Sequence, residues 1–231
     1  MNLVSICVPY STDDNLKEWR DSLPQTGIQV VSCRTLVKPS SEHVEWKLYG
    51  ATEELVGLEC SFPSMDKDFD FSYVRNLLDE HATSEWIIHI DSDERLAIPH
   101  DEFWDIMETL NESEADCAYL SIGGITHEKE PIGPVRKRYN NPSLRIHRKR
   151  ANLKWKGICH ETLDIGDREI TSADTDILLY HKGYAIDEDE MLNKCTRNAK
   201  LLVREYARED SERNWNYLIN TFNLIHKLNT R

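Results

Sequence analysis

Short apolar runs rich in valine and isoleucine alternate along this chain with longer segments whose apolar residues recur every three or four positions. The first pattern is typical of buried β-strands, and the second is typical of amphipathic helices. Their alternation predicts parallel strands joined by crossover helices, which is an α/β sheet. We expect strands at Leu3–Val8, Ile28–Cys33, Leu55–Cys60, Trp86–Ile90, Cys117–Ile122, Leu144–His147 and Ile177–His181.

Helices are expected in the intervals between these strands. One should begin near Asp13 or Asp14, a second at Ser72 and a third near Asp101, because each position offers a side-chain oxygen that can cap a helix. Apolar residues of the third helix share one face. They are Phe103, Trp104, Met107 and Leu110.

The pattern changes after Tyr184 to two long helical repeats of apolar residues. We expect a helical hairpin from about Asp187 to Leu228, with its turn near Asp210 and Ser211. The sequence thus divides into a sheet domain over 1–185 and a helical extension over 186–231. The apolar stripe of the extension must pack either on the sheet domain or on another chain, so the oligomeric state stays open.

Composition narrows the possible partners and the compartment. The chain has 28 Lys and Arg against 41 Asp and Glu, and the net charge of −13 opposes non-specific binding to nucleic acid or anionic lipid. No apolar run approaches the roughly 20 residues that span a bilayer, and Met1–Tyr10 lacks the basic region and cleavage signature of a signal peptide. The six cysteines form no CxxC pair, so we expect them to pack as small hydrophobes. We expect a cytoplasmic protein, and peripheral membrane association through a partner stays open.

The most informative stretch runs from Trp86 to Arg95, WIIHIDSDER. A buried strand there ends in Asp91, Ser92 and Asp93, and open α/β sheets bind their ligands at this edge. Paired carboxylates at a strand end suit a hard divalent cation that bridges a diphosphate. A polar turn in which one aspartate caps the next segment is the alternative.

The run from Asp70 to Leu96, DFSYVRNLLDEHATSEWIIHIDSDERL, resembles the family 2 glycosyltransferases, in which a DFSxxRN segment opens a helix that leads to a DxD motif. The resemblance implies a GT-A fold, a Rossmann-like mixed and mainly parallel sheet flanked by helices. It implies that Asp91, with Ser92 beside it, lies near the donor and that Asp93 ligates Mn²⁺ or Mg²⁺, with Asp91 as a second ligand. Arg75 and Asn76 would then contact the nucleotide-sugar donor.

Two later stretches are similar to the same family and occur in the expected order. SLRIHRKRANLKWKGICHETL, residues 143–163, supplies Arg145 and Trp155 for the donor, and its Glu161 is the candidate catalytic base. In the same pair, His160 would bind acceptor, donor or metal. LLYHKGYAID, residues 178–187, supplies His181, which as a neutral imidazole would complete the metal shell.

The N-terminal third departs from the family pattern. Pro9 and Tyr10 follow the first strand, where we expect them to line the donor site, and no carboxylate follows the second strand at Cys33. Three alternatives follow: Asp13, Asp14 or another residue takes over base and ribose recognition, the donor nucleotide differs, or the protein binds without catalysing.

Nine basic residues and no acidic one lie between residues 136 and 156, a contrast with the acidic chain around them. Guanidinium groups fit phosphates bidentately, so this stretch could close over the donor diphosphate or grip an anionic acceptor. Gly123 with Gly124, and the PIGP segment 131–134, bracket a part of the chain that could move over the site. The basic residues are Arg136, Lys137, Arg138, Arg145, Arg148, Lys149, Arg150, Lys154 and Lys156.

The sequence therefore favours a metal-dependent inverting glycosyltransferase that uses a nucleotide sugar. Saccharides, lipid-linked glycans and proteins are open as acceptors. Nucleic acid is a minor possibility, because no groove-reading motif is present. Two alternatives stay open: a nucleotidyltransferase or other metal-dependent phosphate-processing enzyme, and a nucleotide-sugar-binding module without catalysis.

Overall fold

The computed structural model describes residues 3–11, 16–65, 67–124, 142–181 and 188–230. Eleven strands and five α-helices form within these ranges. The strands are β1 (Val4–Tyr10), β2 (Ile28–Val37), β3 (Glu45–Ala51), β4 (Leu55–Phe62), β5 (Trp86–His89), β6 (Glu94–Leu96), β7 (Cys117–Gly124), β8 (Pro142–Arg148), β9 (Lys154–Lys156), β10 (Thr162–Asp164) and β11 (Ser172–His181). The helices are α1 (Leu16–Asp21), α2 (Phe71–His81), α3 (His100–Glu112), α4 (Glu188–Arg208) and α5 (Glu212–Asn229).

Nine strands form one sheet in the order β3-β4-β2-β1-β5-β8-β7-β11-β6, and β9 pairs with β10 in a separate small sheet. The strands β4, β2, β1, β5, β7 and β11 run in one direction, and β3, β8 and β6 run against them. The prediction of a mixed, mainly parallel sheet flanked by helices, with a C-terminal helical hairpin, is confirmed.

Alternate residues of the central strand β1 enter two different apolar layers. Val4 and Ile6 pack on one face of the sheet in the same cluster as Phe103 and Met107 of α3. Cys7 points to the other face, into a cluster that includes Val74 of α2. Because a strand with helices on both faces is buried, β1 is mostly apolar, and its one buried polar residue, Ser5, donates a hydrogen bond to Gln29 at 2.7 Å.

All seven predicted strands are present, with ends that coincide or shift by up to five residues. Four further strands, β3, β6, β9 and β10, were not predicted. Every residue of β3 is exposed, because this edge strand pairs only with β4 and carries no buried face that an apolar pattern could reveal. The other three have three residues each, which is too short for a periodic signal.

The helix starts differ in detail from the prediction. Asp70, not Ser72, is the N-cap of α2, and its carboxylate accepts a hydrogen bond from the amide of Tyr73. The cap of α3 is Pro99, which offers no side-chain oxygen, so the aspartate and glutamate of its first turn interact with the helix dipole instead. Asp13 and Asp14, the predicted start of the first helix, lie outside the described residues.

The C-terminal hairpin packs on the sheet domain. Leu201 and Leu202 of α4 and Leu218 of α5 are buried in the same apolar cluster as the inner face of α2. The turn falls at the predicted place, since Ser211 caps α5 and accepts a hydrogen bond from the amide of Asn214. Among the described residues, no helix has the length and apolarity required to span a bilayer.

The six cysteines are all buried and unpaired, as expected for small hydrophobic side chains. Burial raises the pKa of Cys60 and of Cys159 to about 12. Both thiols are therefore protonated near neutral pH and are poor nucleophiles.

Arg148 belongs to the basic stretch that was predicted to grip an anion, but the structure buries it beneath α3. Its guanidinium donates to the carbonyl of Ala115 at 2.7 Å and pairs with Glu85 at 2.7 Å. It also donates to three carbonyls at the end of α3, those of Leu110, Asn111 and Ser113. Arg148 thus caps the C-terminus of a helix and does not face a ligand.

Replacing Arg148 by methionine should lower the free energy of unfolding by about 3 kcal/mol, because it leaves buried carbonyls without donors. Urea denaturation measures the change. Arg150 makes the matched control, since its side chain is 58% exposed and only approaches Glu85 at 3.8 Å. Arg150→Met should change stability by less than about 0.5 kcal/mol. Equal effects of the two substitutions would contradict the capping role.

Candidate functional site

The carboxylates predicted from the WIIHIDSDER stretch lie at the carboxyl edge of the sheet. β1 and β5 are parallel neighbours, and their last paired residues are Cys7 and His89. Two positions further along, Asp91 has left β5, whereas β1 continues through Pro9 to Tyr10 alongside β2. The Asp91 amide donates to Glu94 at 2.8 Å, which closes the turn between β5 and β6.

Arg75 connects this edge to the later part of the chain. Its guanidinium donates to Asp91 Oδ1 at 2.8 Å and to Glu161 Oε1 at 2.5 Å, and its side chain is only 3% exposed. Burial opposes the charge of the guanidinium, but the facing Asp91 and Glu161 carboxylates outweigh it and raise the pKa of Arg75 above its ordinary value. The structure therefore brings three of the predicted site residues into direct contact.

Arg145 approaches the same carboxylates from β8. One guanidinium nitrogen lies 3.1 Å from Asp91 Oδ2 and 3.0 Å from Glu94. Burial works against the ionised form of Asp91, but Arg75 and Arg145 prevail and hold its pKa well below the usual range. Burial raises the pKa of Glu94 above its ordinary value. Both oxygens of Asp91 thus accept hydrogen bonds from arginines.

Asp93 and His181 form a second polar group beside this network. The Asp93 carboxylate lies 3.3 Å from His181 Nε2 and 3.9 Å from the ammonium of Lys194, and its side chain is 31% exposed. Burial lowers the pKa of His181, but the hydrogen bond to Asp93 outweighs that effect and raises it. A carboxylate beside an imidazole suits a transition metal such as Mn²⁺ better than Mg²⁺, which prefers oxygen ligands. Asp91 would have to give up an arginine to join them.

Asn76 and Trp155 support Arg75 and do not present free polar groups to a ligand. The Asn76 amide exchanges two hydrogen bonds with the backbone of Trp155, at 3.0 and 2.9 Å. The Trp155 ring is buried, and the Arg75 guanidinium lies 4.8 Å from its centre. These two predicted donor-binding residues therefore fix the position of α2 against β9.

The loop that carries His160 and Glu161 is held by the C-terminal hairpin. The Cys159 amide donates to the buried carboxylate of Glu205 at 3.0 Å. His160 has a left-handed backbone, with φ of 69°, and its ring stacks on Tyr217 at 4.2 Å. Arg213 also donates to the His160 carbonyl, at 2.6 Å. Sequence reasoning missed these three supporting residues because they read as ordinary positions of an amphipathic helix.

Gly157 is the point at which this loop depends on glycine. Its φ is 102°, and a Cβ atom there would lie 2.9 Å from Glu205 Oε1. Gly157→Ala should therefore lower the free energy of unfolding by about 2 kcal/mol, since it adds backbone strain to a steric contact. Thermal denaturation tests this against Gly50→Ala in β3, where a Cβ meets nothing within 4 Å. Comparable losses in the two variants would contradict the prediction.

The remaining donor-site candidates lie near this edge with backbone contacts. The Tyr10 carbonyl accepts a hydrogen bond from Thr35 at 3.1 Å, and Pro9 precedes it on β1. The Ser92 carbonyl accepts from Arg95 at 2.8 Å.

The basic stretch does not form one surface in the part of the chain that the structure describes. Arg145 is in the site, Arg148 is in the core, and Lys149 donates to the Asp79 carbonyl at the end of α2. Lys156 pairs with Asp164 at 2.5 Å. Arg136, Lys137 and Arg138 lie outside the described residues, as does the PIGP segment 131–134.

No family model matches the chain. The chain is 23% identical over 199 residues to the SPbeta prophage-derived glycosyltransferase SunS of Bacillus subtilis (strain 168) and equally to glycosyltransferase SunS of Bacillus phage SPbeta. In each case the match covers 81% of this chain, which spans 44% of the length of the relative. Among solved structures, the crystal structure of S. aureus TarS is similar to this chain, with 11% identity and a TM-score of 0.45. The match covers 99% of this chain and 43% of the TarS chain. The structure of S. aureus TarS 1-349 in complex with UDP-GlcNAc has 12% identity to this chain and a TM-score of 0.41. That match covers 99% of this chain and 71% of the TarS fragment.

Proposed function

We propose that this chain is a metal-dependent, inverting glycosyltransferase that transfers a sugar from a nucleotide-sugar donor to an acceptor hydroxyl. One observation carries the proposal: buried Arg75 ties Asp91, at the carboxyl edge of the sheet, to Glu161. This constellation occurs in a chain that is similar over most of its length to named glycosyltransferases. The two carboxylates have different partners and different exposure, as two separate roles require.

Asp93 and His181 would hold the Mn²⁺ or Mg²⁺ ion, and Asp91 would be a second carboxylate ligand. When bound, the metal neutralises negative charge on the departing nucleoside diphosphate. Arg145, which already neutralises Asp91 and Glu94, keeps this edge from repelling the donor phosphates.

Glu161 is the proposed proton acceptor for the acceptor hydroxyl. Its side chain is 10% exposed, and its contact with Arg75 fixes the direction of the carboxylate. Direct attack by the activated hydroxyl on the donor sugar requires no covalent intermediate and inverts the configuration at the transferred carbon. His160 lies next to Glu161, and burial lowers its pKa, so its neutral ring is suited to contact with the acceptor.

Isothermal titration with UDP-, GDP-, CMP- and dTDP-sugars, with and without Mn²⁺, tests the donor half of the proposal. We expect one nucleotide class to bind, and only in the presence of metal. Product analysis with that donor then tests for transfer and for inversion. Binding of nucleoside triphosphates or phosphoesters without any nucleotide sugar would instead support a nucleotidyltransferase or phosphohydrolase. Donor binding without turnover across a broad set of acceptors would support a binding module.

A further inference from the structure

A second group of potential metal ligands lies inside the protein, beneath the strand that ends in Asp91. Cys7 of β1, Asp79 of α2 and His89 of β5 bring their ligand atoms within 4.8 Å of one another, and all three side chains are buried. Within the described ranges, this is the single place where three such residues meet this closely. The group is separate from Asp93 and His181.

The register of the sheet explains how these residues converge. Cys7 and His89 are direct partners on parallel neighbouring strands, so both side chains point to the face that α2 covers. Asp79 lies one helical turn beyond Arg75 on the inner face of α2. His147 of β8 pairs with Ile87 of β5, which puts its ring on this face as well, stacked 6.2 Å from that of His89.

The carboxylate of Asp79 contacts three surrounding side chains. His89 Nε2 lies 2.6 Å from Asp79 Oδ1, and since an ionised carboxylate only accepts, that nitrogen carries the proton. Trp155 Nε1 donates to Asp79 Oδ2 at 3.1 Å. His147 Nε2 lies 3.3 Å from the same oxygen.

The two histidine rings are enclosed together with the carboxylate and the thiol. His89 is fully buried, and His147 is 2% exposed. Imidazole, thiolate and carboxylate are the side chains from which transition-metal sites in proteins are built.

We propose that Cys7, Asp79 and His89 bind a structural transition-metal ion of the zinc type, with His147 as the fourth ligand. Sulfur, nitrogen and carboxylate oxygen together select a borderline-soft ion over Mg²⁺ or Ca²⁺. One thiolate and one carboxylate balance the two positive charges of Zn²⁺, so the site is neutral inside an apolar core. Tetrahedral coordination requires donor atoms about 3.3 Å apart. His89 would coordinate through Nε2, with its proton moved to Nδ1, so its 2.6 Å contact with Asp79 would open by less than about 1 Å. The other ligand atoms, now up to 4.8 Å apart, and His147 would close in on the ion.

The bound ion would join β1, β5, β8 and α2 behind the candidate active site. His89 is two residues before Asp91, and Asp79 is four residues after Arg75. The ion would therefore fix the strand that carries Asp91 and the helix that carries Arg75 relative to each other. The site is structural, and it does not depend on the proposed transfer reaction.

Cobalt substitution tests the site directly. The chain is unfolded in urea under reducing conditions and refolded with Co²⁺, because the site is closed in the folded protein. We expect about one Co²⁺ per chain and a thiolate-to-cobalt charge-transfer band, which only a bound cysteine can produce. Protein purified without chelators should hold a comparable amount of zinc by mass spectrometry, and its Tm should exceed that of metal-free protein by about 4 °C or more.

Three variants identify the ligands. Cys7→Ala and His89→Leu should abolish the band, whereas Cys33→Ala should retain it, because Cys33 is equally buried in the same cluster on β2 but outside the group. Asp93→Ala should also retain it, which separates this site from the donor metal. A wild-type protein with less than about 0.1 metal per chain and no band would overturn the proposal. A band that survives Cys7→Ala would overturn it as well, and the wild-type result stands even if that variant does not fold.

Discussion

Asp93→Ala should abolish metal-dependent binding of the nucleotide sugar and reduce transfer by about 10³-fold, because a catalytic metal contributes several kcal/mol of charge stabilisation. Isothermal titration with Mn²⁺ and an assay of transfer measure the two effects. The free energy of unfolding should change little, since Asp93 is 31% exposed and its contacts with His181 and Lys194 are 3.3 and 3.9 Å long.

The matched control for this substitution is Asp105→Ala, on the exposed face of α3. It removes one carboxylate, as Asp93→Ala does, but far from the sheet edge, so donor binding and transfer should equal those of the wild type. Unchanged Mn²⁺-dependent binding in the Asp93 variant would exclude Asp93 as the metal ligand. Loss of binding in both variants would point to a general effect of charge.

Arg75→Met should lower the free energy of unfolding by about 3 kcal/mol and eliminate detectable transfer. The substitution leaves Glu161 without the guanidinium that it contacts and leaves Asp91 with Arg145 alone, and an unpaired buried charge carries a cost of this size. Arg75→Lys should restore little, because a compact ammonium cannot donate to two carboxylates in the directions that a guanidinium provides. Urea denaturation and the transfer assay measure these changes.

A double-mutant cycle separates the pairing of Arg75 with Glu161 from the packing of its side chain. Adding Glu161→Gln to Arg75→Met should recover part of the lost stability, because the carboxylate that lost its arginine is then replaced by a neutral amide. Transfer should stay undetectable in the double variant, since the proposed base is gone. Additive losses of stability would show that the 2.5 Å contact contributes nothing of its own.

The sequence predicted the fold well where burial imposes a pattern. β1 and β5 are mostly apolar runs because both of their faces are covered, and the carboxylates after β5 follow directly from the end of that run. β3 escaped prediction because hydrogen bonding to β4 alone holds it in place. The reversed direction of β8, between β5 and β7, also leaves no local signal, because pairing direction depends on distant segments.

The site was predictable in its members but not in its contacts. Family resemblance pointed to Arg75, Asp91 and Glu161, yet only the structure shows that one guanidinium joins the two carboxylates. Asp79 and His89 were overlooked because a polar residue on an amphipathic helix reads as surface, and a lone histidine in an apolar run reads as an interruption. Their burial follows from the packing of α2 on the sheet, which no short segment encodes.

The arginine contacts at the sheet edge also bear on the order in which the protein folds. Arg145 follows Asp91 by 54 residues, and Glu161 follows Arg75 by 86. A nascent chain that has reached residue 124 contains the first seven strands and both Asp91 and Asp93, but neither Arg145 nor Glu161. Contacts this distant in sequence form late, because the entropy of closing a long loop must be overcome first. This edge of the sheet is therefore expected to become stable only after most of the chain has left the ribosome.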